Sequence, residues 1–279
     1  MSSFDAPRAV VVRAVETALV EDVGVLGDIT TLACVDEDEH ATAVFVARAD
    51  GVLAGTALAT ETYRQVDDRV SVQWTLHDGD PVSAGAQLGV VNGSLRSILT
   101  GERTALNFLC HCSGIATATH RYVVAAHGRT RVLDTRKTIP GLRAIQRAAV
   151  RAGGGYNHRD SLSDAVLIKD NHVAATGIAK SIERARSAWP GRMIEVECDT
   201  LEQVVEAREA GADRVLLDNM SPEQVRQAVA LLDGATETEV SGGITLETIG
   251  AYADSGADFV SVGALTHSVV VFDIGLDMS

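Results

Sequence analysis

Apolar and polar positions follow two rhythms along this chain, and the change falls near residue 105. Before it, runs such as "ATAVFVARADGVLAG" and "VSVQWTLHDGDPVSAGAQLGVVNG" alternate apolar with polar residues and break at Asp-Gly and other glycine turns. A period of two bounded by turn residues predicts β-strands in a sandwich-like unit. The opening stretch "MSSFDAPRAVVVRAVETALVEDVG" reads instead as an amphipathic helix with acids at its end. From about 95 to 127 apolar residues recur at helical spacing through "GERTALNFLCHCSGIATAT", with Gly101 and Gly114 as breaks or points of close packing.

From residue 130 onward, short apolar runs alternate with helical stretches. The runs are Arg131 to Asp134, Ala165 to Ile168, Met193 to Val196, Arg214 to Leu217, Glu239 to Ser241 and Phe259 to Val262. Stretches such as "TLEQVVEAREAGAD" and "TLETIGAYADSGAD" carry cap residues at the start and glycine at the end. Strand followed by helix, repeated, predicts a parallel sheet, either open or closed into a barrel. Six clear strands are fewer than the eight of a standard barrel, so the expected fold is α/β, an irregular, incomplete barrel plus an N-terminal α/β sandwich.

Composition narrows the function classes. The 279 residues are 46% hydrophobic and carry a formal charge of −14, which argues against nucleic acid or an anionic membrane surface as partner. No apolar run approaches the roughly 20 residues of a membrane helix, and the N-terminus lacks a signal-peptide pattern, so a soluble cytoplasmic protein is expected. The cysteines at 34, 110, 112 and 198 form no CxxC pair, and Cys110-His111-Cys112 reads as buried thiols in a helix rather than a metal site.

Candidate chemistry lies just past each apolar run, where βα units place their functional loops. The ends read Thr135-Arg136-Lys137-Thr138, Lys169-Asp170-Asn171-His172, Glu197 with Asp199, Asp218-Asn219, Ser241-Gly242-Gly243, and Gly263. Lys137 and Lys169 are two of only three lysines in the chain, the third being Lys180. Ser241-Gly242-Gly243 followed by a helix, and Gly263 after the last strand, suit a phosphate grip made of backbone N–H groups and helix dipole. Glu197 and Asp218 suit either a hydrated Mg2+ and sugar hydroxyls or salt bridges to Arg136 or Lys169. Residues 129–159 hold eight Arg or Lys and one acid, Asp134. Arg143, Arg147 and Arg151 share one helix face, which on the plainest reading is a solvated stripe, and that is the expectation for Arg143. Arg136, Lys137, His158 and Arg159 fall outside that stripe and suit a ligand with several negative groups. The glycines of "GGGYNHR" are expected to end a helix over 140–152 and turn the chain so that His158 and Arg159 reach that ligand.

These segments, in this order, resemble the quinolinate phosphoribosyltransferase family: "EDVGVLGDITT", "GERTALNFLCHCSGIATAT", "DTRKTIPGLR", "VRAGGGYNHR", "LIKDNH", "IEVECD", "LLDNM", "SGGI" and "VGALTHS" before "DIGLDM". The resemblance implies an N-terminal domain over 1–108, rejoined by 268–279, and a barrel domain over 109–267. It implies transfer of a phosphoribosyl group from 5-phosphoribosyl 1-pyrophosphate to quinolinate with loss of CO2, which yields nicotinate mononucleotide for NAD biosynthesis. It also implies a homodimer with shared active sites, with higher assembly open. By that similarity Arg136, His158, Arg159 and Lys169 hold quinolinate, and Arg103 reaches into the partner's site. Lys137 lies beside both substrates, Glu197 and Asp218 hold ribose hydroxyls and Mg2+, and Ser241, Gly242, Gly243, Gly263 and His267 grip the 5′-phosphate. Lys137, Lys169, Glu197 and Asp218 are the implied catalytic set. Arg147-Ala148 stands where relatives often carry Lys-Tyr, and no role is assigned to the Cys-His-Cys cluster. Competing readings are a Schiff-base lyase using Lys169, a non-catalytic phosphometabolite-binding protein, and a relative that takes nicotinate.

Overall fold

Alternation and helical periodicity each produce the element they predict. The computed structural model describes residues 5–279, so the first four residues of the expected N-terminal helix lie outside the described residues. In chain order the elements are α1 (Arg8–Val23), α2 (Ile29–Cys34), β1 (His40–Ala47), β2 (Gly51–Val52), α3 (Thr56–Val66), β3 (Ser71–Trp74), β4 (Pro81–Val82), β5 (Gln87–Ser94) and α4 (Leu95–Ala125). There follow β6 (Arg131–Leu133), α5 (Arg143–Ala152), β7 (Val166–Ile168), α6 (Asp170–Thr176), α7 (Ile178–Ala188), β8 (Ile194–Cys198) and α8 (Leu201–Glu209). The chain ends with β9 (Arg214–Asp218), α9 (Pro222–Leu232), β10 (Glu237–Ser241), α10 (Ile249–Ala253), β11 (Phe259–Ser261), α11 (Ala264–His267) and β12 (Ile274–Met278).

The chain forms two compact units. The first comprises residues 1–120, 138–154 and 264–279, and the second 121–137 and 155–263. In the first, an antiparallel sheet runs β12-β1-β5-β3, so the last strand returns to pair with the first. Phe45 is buried on β1, stacks on Trp74 at 4.9 Å and meets Tyr63 edge-on at 6.3 Å. With few aromatics in the chain, these three rings supply a large share of this core's apolar area. Helix α4 runs unbroken through Gly101 and Gly114, and both are points of close packing rather than breaks. A Cβ on Gly114 would come within 2.4 Å of the Val270 carbonyl.

The second unit is a parallel sheet of six strands in the order β6-β11-β10-β9-β8-β7. The strands adjacent in sequence, β6 and β7, are its two ends, which is the incomplete barrel topology that the strand count predicted. The register puts like positions side by side: Glu195 beside Arg214, Glu239 beside Leu216, and Ser241 beside Asp218. Side chains alternate across a strand, so one face carries Ile194, Val196, Val215, Leu217, Val240 and Val260, all buried and apolar. The opposite face carries Glu195, Glu197, Arg214, Asp218, Glu239 and Ser241. The apolar face is the one that helices can cover without stranding a charge. The cap signals hold as well: Thr200 with Gln203 and Ser221 with Gln224 form capping boxes that start α8 and α9.

Candidate functional site

Because the six strands run parallel, their carboxyl ends share one rim of the second unit. Arg136, Lys137, Lys169, Glu197, Asp218, Ser241, Gly242, Gly243 and Gly263 all stand at those ends, and His158 and Arg159 belong to the same unit. Arg103 on α4 and His267 at the end of α11 belong to the first unit, where His267 Nδ1 lies 2.7 Å from Ser268 Oγ.

Local chemistry explains each placement. Lys169 leaves β7 and starts α6, and its backbone N–H donates to Nδ1 of His172 at 3.0 Å, which gives the "KDNH" order a structural reason. Its ammonium Nζ lies 2.8 Å from Glu197 Oε2 at the end of β8, joining two neighbouring strand ends by an ion pair. Asp218 Oδ2 accepts from Asn219 Nδ2 at 2.6 Å, and the Asn219 backbone N–H donates to the Ser241 carbonyl at 2.9 Å. Gly242 has φ +99°, and a Cβ there would sit 2.2 Å from Asn219 Oδ1, so only glycine fits this turn. The expected helix does not follow directly on Gly243. Residues 244–248 intervene, and α10 begins only at Ile249, so any anion held by this loop meets backbone N–H groups and not an adjacent helix end. Gly263 is followed at once by α11, a helix of four residues.

The cations are crowded. Arg159 has a pKa below the usual guanidinium range, from burial and from repulsion by Arg136. The Arg136 Nε–H is buried without a hydrogen-bond acceptor. Two guanidiniums that repel each other, one with an unmet donor, form a site whose energy falls when an anion enters it. The chain arrives there by a parallel bridge between Leu133 and Tyr156, with Tyr156 N–H donating to the Val132 carbonyl at 2.8 Å. Asp134, fully buried, accepts from the His158 backbone N–H at 2.8 Å and from Asn157 Nδ2 at 2.6 Å, which fixes the approach of "NHR".

The glycines preceding that approach do end a helix, α5, which starts at Arg143. Gly154 takes the left-handed conformation at φ +85°, while Gly153 is needed for contact, since a Cβ would lie 2.4 Å from the Ala116 carbonyl. The arginine stripe on α5 departs from expectation. Arg147 is buried, Arg143 Nε donates to Thr138 Oγ1 at 3.1 Å, and Arg151 donates to the Asp5 carbonyl at 3.3 Å. Helical spacing showed that they share a face but not that other residues cover it.

Residues 115–277 match the family described as quinolinate phosphoribosyl transferase, C-terminal domain, and residues 28–113 match its N-terminal domain. The chain belongs to the quinolinate phosphoribosyltransferase family. It is 44% identical over 282 residues to nicotinate-nucleotide pyrophosphorylase (carboxylating) of Mycobacterium leprae (strain TN), covering 99% of this chain and 98% of that protein. It is 43% identical to the probable enzyme of the same name from Bacillus subtilis (strain 168), covering 93% and 90%. The solved nicotinate-nucleotide pyrophosphorylase of Francisella tularensis superimposes with a TM-score of 0.94 at 41% identity, covering 99% and 98% of the two chains.

In the second unit, sequence reasoning missed a buried ionic layer. Glu195 and Glu239, at 0% and 1% exposure, both approach His158 Nε2, at 2.9 and 3.2 Å. Arg214 Nη1 lies 3.3 Å from Glu239, and its guanidinium sits 4.0 Å from the Phe259 ring centroid. Among the described residues, these His and Glu ligand atoms lie within 4.8 Å of one another and could hold a metal ion. A signal existed: "IEVEC" and "ETEVS" place acids at alternate strand positions, which marks a charged inward face. Both clustered cysteines lie in α4 as expected, but Cys110 is only half-buried. Cys112 is buried in α4, where burial pushes its thiol far up and leaves it unreactive. His111, between the two α4 cysteines, lies 3.0 Å from Gln146 Nε2, and burial lowers its pKa. No helix of the described residues is long and apolar enough to cross a membrane.

Proposed function

We propose that the strand-end rim of the second unit binds quinolinate and 5-phosphoribosyl 1-pyrophosphate together and carries out decarboxylating phosphoribosyl transfer. The products are nicotinate mononucleotide, pyrophosphate and CO2. The observation that carries this reading is the crowding of Arg136 and Arg159 beside the rim, with the buried Arg136 Nε–H lacking an acceptor. A dicarboxylate supplies acceptors for both guanidiniums, and His158 and Lys169 extend the cationic set to its second carboxylate. A single carboxylate, as in nicotinate, would leave part of that repulsion uncompensated.

Phosphoribosyl pyrophosphate takes the neighbouring strand ends. Ser241, Gly242, Gly243 and Gly263 offer backbone donors to its 5′-phosphate, and Glu197 and Asp218 meet the ribose hydroxyls, with Lys137 between the substrates. Two carboxylates on adjacent strands, one already paired with Lys169, suit Mg2+, which keeps several waters and takes few protein ligands. When bound, Mg2+ neutralises charge on the departing pyrophosphate. The chain's own part is placement and electrostatics: acids tolerate the oxocarbenium character that grows on the sugar, and cations receive the leaving group. The pyridine nitrogen forms its bond to the anomeric carbon as the bond from that carbon to the pyrophosphate oxygen breaks, and pyrophosphate leaves with the electron pair. The ring, now a pyridinium, takes the electron pair released when the 2-carboxylate departs as CO2, and a proton then replaces it. Nothing here needs a lysine imine. Lys169 Nζ is already engaged with Glu197 Oε2 at 2.8 Å.

The assay mixes purified protein, Mg2+, quinolinate and phosphoribosyl pyrophosphate. Nicotinate mononucleotide and CO2 are expected in equal amounts, with loss of turnover on chelation by EDTA. Absence of both products ends the reading, and binding of phosphoribosyl pyrophosphate without pyrophosphate release would favour a binding protein. The enzyme acts as a cytoplasmic homodimer in this reading. Four unpaired cysteines fit a reducing compartment. Exposed Arg103 completes the partner's site. Mixing inactive Arg103→Ala and Lys169→Ala proteins is therefore expected to restore about a quarter of wild-type turnover after subunit exchange, by random pairing of two protomers. No recovery with proven exchange would remove the shared site.

A further inference from the structure

The turn after β9 is held by its backbone. Asn219 takes the left-handed conformation at φ +55°, and its N–H donates to the Ser241 carbonyl at 2.9 Å. That bond carries the β9–β10 pairing one residue past the register pair of Asp218 and Ser241. Tyr252 Oη on α10 donates to the Met220 carbonyl at 3.2 Å, and the Met220 side chain is buried. Ser221 then caps α9. None of these ties uses the Asn219 side chain, and glycine would accept the same φ without strain. The side chain is nevertheless engaged on two sides. Its Nδ2 donates to Asp218 Oδ2 at 2.6 Å, and its Oδ1 lies so close over Gly242 that a Cβ there would come within 2.2 Å.

We infer that Asn219 is a positioning residue: Gly242 seats its amide, and the amide holds the Asp218 carboxylate in the direction that the ribose of phosphoribosyl pyrophosphate requires. The inference rests on the proposed function for the identity of that substrate. The terminal torsion of an aspartate is broad, so a carboxylate at a strand end turns easily. With Oδ2 held by the amide, Oδ1 keeps one direction. An untied carboxylate would have to be ordered when the sugar binds, which weakens affinity. The residue type is specific. Asparagine tolerates the left-handed region, which strains alanine, and it supplies an N–H donor. Aspartate tolerates the same backbone but would set a second carboxylate against Asp218. Because one amide meets both Asp218 and Gly242, the spacing between the ribose carboxylate and the phosphate loop is set before a sugar phosphate arrives.

Asn219→Gly in the full-length chain is expected to raise KM for phosphoribosyl pyrophosphate about tenfold, the scale of one hydrogen bond to a charged group. KM for quinolinate stays within about twofold and the urea midpoint stays near that of the wild type, because the backbone ties remain. Two mutant cycles test the route. On an Asp218→Ala background, Asn219→Gly weakens phosphoribosyl pyrophosphate binding, read by calorimetry, by less than about twofold, since no carboxylate is left to hold. Added to Gly242→Ala, Asn219→Gly removes the 2.2 Å clash and lowers KM from about a hundredfold above wild type toward about tenfold. An unchanged KM in Asn219→Gly overturns the inference. An equal rise for both substrates, or loss of the fold, does so too, because the amide would then support the turn rather than the carboxylate. A full second loss on Asp218→Ala overturns it by showing that Asn219 meets the substrate itself. Losses that simply multiply in the Gly242→Ala cycle overturn it by showing that Gly242 does not seat the amide. If the wild type forms no product, the proposed function fails. If the wild type forms product and Asn219→Gly matches its kinetics, this inference alone fails.

Discussion

Lys169→Met lowers kcat/KM for quinolinate by about a thousandfold or more, as loss of a preorganised charge from a catalytic site does. Methionine matches the length of the lysine stem, so the strand-end geometry is kept and the charge alone is lost. The change acts twice. It removes a cation from the set proposed to hold the two carboxylates. It also leaves Glu197, whose side chain is only 11% exposed and whose Oε2 was 2.8 Å from the ammonium, as an uncompensated anion beside an anionic substrate. The second effect makes the loss larger than that of a single hydrogen bond. Lys180→Met, on an exposed position of α7, is the control and leaves kinetics within about twofold, as surface changes do. Steady-state kinetics with product quantification measures both. Thermal melts should show Lys169→Met less stable by about 1–3 kcal/mol, because the largely buried Glu197 carboxylate loses its partner. A fall below about tenfold would remove Lys169 from the catalytic set.

Gly242→Ala raises KM for phosphoribosyl pyrophosphate by about a hundredfold and destabilises the chain by about 2–4 kcal/mol, combining backbone strain at positive φ with overpacking. The new methyl would stand 2.2 Å from Asn219 Oδ1 and 2.9 Å from the Asn219 backbone nitrogen. Asn219 itself has φ +55°, donates from its side chain to Asp218 and closes onto the Ser241 carbonyl. One methyl therefore disturbs the proposed phosphate loop and the proposed ribose carboxylate together. Gly243→Ala is the discriminating control. It also has a positive φ, +60°, but nothing lies within 4 Å of the added atom, so it costs only the left-handed strain of about 1 kcal/mol. Urea unfolding and substrate kinetics on the pair separate strain from contact. Equal KM values for the two variants would show that the Asn219 contact plays no part in binding.

The rim was legible because it depends on local order. A strand of period two, a polar residue at its end and a capped helix after it can be read from a short window, and six such windows placed Lys169, Glu197, Asp218 and Ser241 at one edge of a parallel sheet. The end of α5 at the triple glycine was legible for the same reason. Burial was harder to read. The α5 arginines share a face by spacing, but their cover comes from residues as distant as Asp5, which helical periodicity does not report. The gap between Gly243 and α10 was missed because "TLET" carries strong cap signals although the helix begins only after them.

The sequence by itself determined the alternation of strands and helices, their caps, the polar rim and the membership in a family that spans nearly the whole chain. Those features rest on hydrophobic period and turn chemistry, which act between near neighbours. The tertiary structure alone decided that Glu195, Arg214, Glu239 and His158 meet in one buried layer, because parallel pairing brings together residues about forty positions apart in the chain and turns their charged face inward. A lone acid in a strand is unfavourable, and only the opposite charges that the sheet register places beside it make its burial tolerable.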